Sequence, residues 1–113
     1  MGDKLEFANV SINIDAFELR VDQKPVAVEP LVLDLIIEMA RRPGILRARE
    51  DLIDTVWNGR IVSDTTISTA IKSARKVLGD SGSDKRLIRT IRGRGFQFIA
   101  EILDNSAPDN VAV

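Results

Sequence analysis

The spacing of apolar residues changes at Pro30, from every second position to helical spacing. That change restricts the fold more than any other feature. From Leu5 to Val28 the apolar side chains alternate: Leu5 and Phe7, then Val10, Ile12 and Ile14, then Phe17, Leu19 and Val21, then Val26 and Val28. A period of two puts successive residues on opposite faces of a strand, so this stretch reads as three or four short antiparallel strands with one face buried. Asn9, Asp15-Ala16 and Asp22-Gln23-Lys24 supply the breaks.

From Pro30 the spacing becomes helical. Proline suits the first turn, where its missing N–H costs nothing. Leu31, Leu35 and Met39, with Val32, Ile36 and Ala40, form a wide apolar stripe. Arg41 and Arg42 are expected in the last turn, and Pro43-Gly44 stops the helix. Ile45 and Leu46 read as a short apolar link. A second helix is predicted over residues 48–57, with Leu52, Ile53, Val56 and Trp57 facing inward and Asn58-Gly59 ending it. Ser63 or Asp64 caps a third helix that ends at Leu78-Gly79. A loop over residues 80–85 then leads into two strands, about 87–91 and 96–99, joined through Gly93-Arg94-Gly95. The fold class is therefore α+β: an N-terminal antiparallel sheet, three helices and a C-terminal β-hairpin. One domain over residues 1–103 is expected, with residues 104–113 a disordered tail or linker, being small, polar and interrupted by proline.

Composition removes several kinds of chemistry. The 113 residues include no cysteine and no histidine. Disulfides, thiolate metal sites and thiol nucleophiles are excluded, and the usual general base and commonest metal ligand are missing. No glycine-framed nucleophile is visible, so no enzymatic activity and no cofactor are expected. No apolar run exceeds three residues, as at Leu35-Ile36-Ile37, far short of the roughly 20 residues of a membrane span. No secretory signal is visible, and the chain is expected in the cytoplasm.

The net charge of −1 hides an uneven distribution. Residues 1–59 carry seven Lys/Arg against eleven Asp/Glu, and residues 99–113 carry only acids. Residues 60–98 carry nine Lys/Arg against three acids. A basic segment in an acidic chain concentrates any attraction for phosphate on one part of the surface, although a solvated basic face has the same composition.

Within that segment the third helix has two unlike faces. At about 100° per residue, Ile67, Ala70, Ile71, Ala74, Val77 and Leu78 share one side. Thr65, Thr69, Lys72, Ser73 and Lys76 share the other, with Ser68 and Arg75 at a flank. The outward side holds no acid and no bulky apolar group. Hydroxyls and lysines of this kind can meet base edges and phosphates in a major groove. An ordinary amphipathic surface helix accounts for the pattern equally well. The hairpin that follows presents Arg92 and Arg94 at a tip hinged by Gly93 and Gly95, a shape suited to a narrow minor groove. A tight hairpin with solvated arginines is the plainer reading.

Taken together, the order of elements resembles the winged helix-turn-helix effector domain of OmpR/PhoB-type transcription regulators, bacterial proteins that bind DNA. The resemblance covers roughly residues 5–100. Its words are Pro25-Val26-Ala27-Val28-Glu29-Pro30, Arg49-Glu50-Asp51-Leu52 through Val56-Trp57, Arg75-Lys76-Val77-Leu78-Gly79-Asp80, and Ile88-Arg89-Thr90-Ile91-Arg92-Gly93-Arg94-Gly95-Phe96. It implies sequence-specific binding to double-stranded DNA, with the third helix in the major groove and the wing in the minor groove. Trp57 and Thr90 would contact phosphate, Thr69, Lys72 and Ser73 would enter the major groove, Thr65 and Arg75 would lie near the backbone, and Arg92 would reach the minor groove. Residues 58–63 match a loop that can meet RNA polymerase in this family, and tandem pairs on direct repeats are common.

The match has departures. Ser73 stands where many members carry arginine, Thr65 is another uncharged substitute, and the loop 58–63 is short. The resemblance also leads to the expectation that this is a stand-alone binder or the first domain of a longer protein, since no receiver-like segment precedes it. The alternative function is a winged-helix module for protein interaction without DNA binding.

Overall fold

The computed structural model describes residues 4–80, 87–100 and 102–105. Four strands open the chain: β1 (Lys4–Phe7), β2 (Val10–Asn13), β3 (Glu18–Val21) and β4 (Lys24–Val26). Each pairs antiparallel with the next. The alternation works as predicted, since Leu5, Phe7, Val10, Ile12 and Leu19 all point into the core. Asp22 and Gln23 both take positive φ, 53° and 67°, the backbone of a two-residue hairpin turn whose twist matches the strands. Phe17 departs from the predicted pattern. It sits in the β2–β3 turn at φ 54° and is 41% exposed.

Helix α1 (Pro30–Ala40) follows, with proline in its first turn. Seven of its residues are buried, including Leu33 and Ile37 outside the expected stripe. The reason is that α1 is covered on several sides, packing on both later helices and on the second sheet. Arg41 is the C-cap and Arg42 lies beyond it, so neither falls in the last turn, where both are expected from sequence. Helix α2 (Arg49–Val56) runs between Ala48 and Trp57 as caps. The Asp51 carboxylate accepts from the Ala48 amide at 3.2 Å, satisfying one donor at the helix start. Helix α3 (Asp64–Leu78) follows.

Residues 46–47, read from sequence as a bare link, form the short strand β5 (Leu46–Arg47). With β6 (Ile88–Ile91) and β7 (Gly95–Phe98) it builds a second antiparallel sheet in the order β5-β7-β6. A last strand, β8 (Ile102–Asn105), returns to the first sheet and pairs with β1, giving β4-β3-β2-β1-β8. It runs past the domain boundary expected at residue 103. The predicted loop beyond Asp80 and the tail from residue 106 lie outside the described residues. Phe7 and Phe98 meet edge-to-face, centroids 4.8 Å apart at 85°, so the two sheets share one core.

Candidate nucleic-acid interface

Helix α3 is held firmly at both ends. The Ser63 hydroxyl accepts from the Thr66 amide at 3.1 Å, which makes Ser63 and not Asp64 the cap. Asp64 then places an acid in the first turn, where the helix dipole favours it. Gly79 ends the helix in the left-handed region at φ 76°, and the Gly79 and Asp80 amides donate back to the Lys76 and Arg75 carbonyls. Between these ends Ile67, Ala70, Ile71, Ala74 and Leu78 are buried, and Thr65, Ser68, Thr69, Lys72 and Lys76 are exposed. Ser73 sits lower. It is half-buried and lines a cleft of about 580 Å³ between α3 and the start of α1, beside Leu31 and Thr69.

The wing is the β6–β7 hairpin. Arg92, Gly93 and Arg94 form its exposed tip, and the Arg94 amide donates to the Ile91 carbonyl at 2.9 Å. Gly95 is required by close approach as well as by its φ of 145°. A Cβ at that position would overlap the Arg47 carbonyl and crowd the Ala48 Cα. The wing therefore leans directly on the β5–α2 junction.

Two acid–base features lock α3 to the wing. Asp80, just after the helix, is buried, and its carboxylate accepts from the Leu87 and Ile88 amides at 3.1 and 2.8 Å. Arg75 donates from Nε to the Ile88 carbonyl at 3.3 Å and from Nη2 to the Thr90 hydroxyl at 2.6 Å. Partial burial pulls the Arg75 pKa below the ordinary arginine value, and the nearby Asp80 charge opposes that shift. A second anchor lies behind the wing. Arg47 is buried and donates to both the carbonyl and the carboxylate of Glu38 on α1, each at 3.2 Å.

The result is a groove of about 290 Å³ shared by the start of α2, the flank of α3 and the wing, lined among others by Arg49, Ser68, Thr90 and Arg94. Among the described residues no ion pair engages Lys72, Lys76, Arg92 or Arg94. The flank of α3 and an arginine-tipped hairpin thus share one groove, while Thr65, Thr69 and Ser73 line the separate cleft beside α1.

Comparison with known proteins agrees with this geometry. Residues 23–98 match the family model described as "Transcriptional regulatory protein, C terminal". The chain belongs to that family, the OmpR/PhoB-type DNA-binding domains. It is 31% identical over 108 residues to the transcriptional regulatory protein SrrA of Staphylococcus aureus, covering 94% of this chain and 44% of SrrA. The chain therefore spans less than half the length of that curated relative. Among solved structures, the DNA-binding domain of Escherichia coli CadC superimposes with a TM-score of 0.78 at 24% identity, over 89% of this chain and 95% of that one. The Klebsiella pneumoniae RstA DNA-binding domain, solved in complex with the RstA box, gives 0.77 at 23% identity, over 85% and 96%. Thermotoga maritima DrrB, an OmpR/PhoB homologue, gives 0.77 at 27% identity, over 85% of this chain and 44% of DrrB.

Within this OmpR/PhoB-type domain the residues singled out from sequence fall into three groups. Thr65, Thr69, Lys72 and Lys76 lie on the exposed face of α3, and Arg92 and Arg94 lie at the wing tip. Arg75 and Thr90 are bonded to each other between the two. Trp57 is the α2 C-cap and only 7% exposed, and Ser73 faces α1, so both sit at the margin. Sequence reasoning passed over Arg49, Asp64 and Asp80 as site residues and left Ser68 at a flank. The first two open separate predicted helices, and only the fold shows that those openings meet, with Arg49 Nη1 2.7 Å from Asp64 Oδ2.

Proposed function

We propose that this domain binds double-stranded DNA in a sequence-specific way to regulate transcription, with α3 in the major groove and the wing in the adjacent minor groove. One observation carries the reading. The flank of α3, at Ser68, and the arginine tip of the wing, at Arg94, border the same groove, and helix and wing are coupled through the Arg75–Thr90 bond. A duplex could engage both elements without rearrangement of either. Thr65, Thr69 and Lys72 are the central reading positions, with Lys76 nearer the backbone, Ser73 and Trp57 at the edges, Arg92 in the minor groove and Arg94 beside it at the backbone. The SrrA relationship supports the regulatory role.

The loop 58–63 exposes Arg60 and a fully solvated Ile61. Both side chains are accessible to a partner, and the family reading makes RNA polymerase the candidate for that contact. Pairing of two domains on a direct repeat, and action in the cytoplasm, follow from the same family reading. No helix among the described residues is long and apolar enough to cross a membrane.

The test is binding to mixed duplex DNA across a salt series, followed by selection of bound oligonucleotides. Affinity should fall steeply as salt rises, in proportion to the phosphates contacted. Lys72→Ala should either lower that slope by about 1 or relax preference at one base pair. Salt-insensitive or absent duplex binding would reject the reading and leave a protein-interaction module.

A further inference from the structure

The Arg49–Asp64 ion pair joins the first residue of α2 to the first residue of α3. Its two side chains are 49% and 76% exposed. A solvated pair of this kind adds little to stability and is screened by salt, so the pair is poorly explained as a structural strut. Its position is more informative. Arg49 lines the groove between α3 and the wing, opposite Arg94 and alongside the Ser68 and Thr90 hydroxyls. Glu50 lines it too.

We propose that this groove is a subsite for one phosphate of the duplex, and that Asp64 holds Arg49 in reserve until that phosphate arrives. The inference rests on the reading of α3 and the wing as a duplex-binding surface. A guanidinium fits carboxylate and phosphate through the same planar fork, so Arg49 can exchange one for the other by turning its side chain. A phosphate in the groove meets Arg49 from the α2 wall, Arg94 from the wing, and two hydroxyl donors between them. Before binding, the two arginines are offset by Asp64 and Glu50, and the groove has little net attraction for anions at a distance. Asp64 therefore weakens loose attachment to any polyanion, while a docked duplex, which brings its phosphate within hydrogen-bond range, recovers the Arg49 contact. That makes Asp64 a determinant of how well the domain separates its site from bulk DNA.

The experiment compares wild type, Arg49→Ala and Asp64→Asn on a mixed-sequence duplex over a salt series, with urea unfolding as a control on both variants. Arg49→Ala should reduce the slope of log affinity against log salt by about 1. Asp64→Asn should do the opposite, raising affinity by a factor that shrinks as salt increases. If the pair only braces the helices, both substitutions will weaken binding together, and that result overturns the proposal. So does an unchanged slope for Arg49→Ala in a protein whose wild type binds. Wild type that fails to bind any duplex overturns the duplex reading itself and this inference with it.

Discussion

Arg75 and Thr90 are hydrogen-bonded across the joint between recognition helix and wing, guanidinium Nη2 to hydroxyl oxygen at 2.6 Å. The bond has a direction. The guanidinium can only donate, so Thr90 accepts, and its own hydroxyl proton remains available to donate elsewhere. A cationic donor polarises the hydroxyl that receives it and makes it a better donor in turn. Thr90 is exposed, so a phosphate approaching the wing would meet a donor already aimed by the helix. In the proposed binding mode Arg75 would serve the interface through its neighbour, while its second bond to the Ile88 carbonyl fixes the strand below.

Replacing Thr90 by valine keeps the branched shape and removes the hydroxyl. The expected loss is about 1 kcal/mol in urea unfolding, since Arg75 keeps a backbone partner and has access to water. Duplex affinity should fall as well, and Thr90→Ser should restore most of both. In a double-mutant cycle with Arg75→Ala, the two stability losses should be non-additive by at least about 0.5 kcal/mol. Simple additivity would mean the 2.6 Å contact carries no energy.

Gly93 and Gly95 flank one arginine yet should respond differently to alanine. Gly93 has φ 74° and open space around it, so only backbone strain applies, about 1 kcal/mol. Gly95 has φ 145° and no room, because the Arg47 carbonyl occupies the place a Cβ would take. Its replacement should cost about 3 kcal/mol or more and displace the wing from α2. Paired urea titrations measure both, and equal losses would contradict the close approach of Gly95 to the β5–α2 junction.

Much of this arrangement could be read from sequence, for reasons that also mark where reading stops. The two faces of α3 follow from 3.6-residue spacing, and the strands of the first sheet follow from alternation, because both patterns are local. β5 is two residues long and holds no period at all. It exists because Leu46 and Arg47 pair with Gln97 and Phe96, some fifty residues away. β8 likewise forms by joining the free edge of β1. Phe17 kept the apolar beat of its neighbours but fell in a tight turn, where chain reversal overrides alternation. Gly95 was legible as a turn former, while its steric necessity depends on a carbonyl from another element. Arg49 and Asp64 were each visible as helix starts, and the ion pair between them was not, since no spacing rule relates two helix beginnings.

Asp80 offers a test of how the recognition helix is joined to the wing. Its carboxylate sits 1% exposed and accepts from two amides at the start of β6. Asp80→Ala would bury the Leu87 and Ile88 N–H groups without those acceptors, at about 3 kcal/mol for the pair. Asp80→Asn retains an acceptor oxygen and should cost clearly less. Hydrogen exchange at the two amides reads the effect directly. Protection should drop in the alanine variant before the core of α3 loosens, and unchanged protection would show that the carboxylate is not what orders β6.

In the proposed binding mode Arg92 and Lys72 serve different grooves. Lys72 stands on the exposed face of α3, whereas Arg92 is at the wing tip. A minor groove narrows over A/T-rich sequence, and its negative potential deepens there, so an inserted arginine gains most at such sites. Arg92→Ala should weaken binding several-fold more at duplexes with an A/T-rich flank than at matched G/C-rich ones, with the central base preferences unchanged. Lys72→Ala should leave the flank dependence intact. Fluorescence anisotropy on paired duplexes gives the comparison. Equal loss on both flanks for Arg92→Ala would reduce the wing tip to a plain phosphate contact and remove the minor groove from the binding mode.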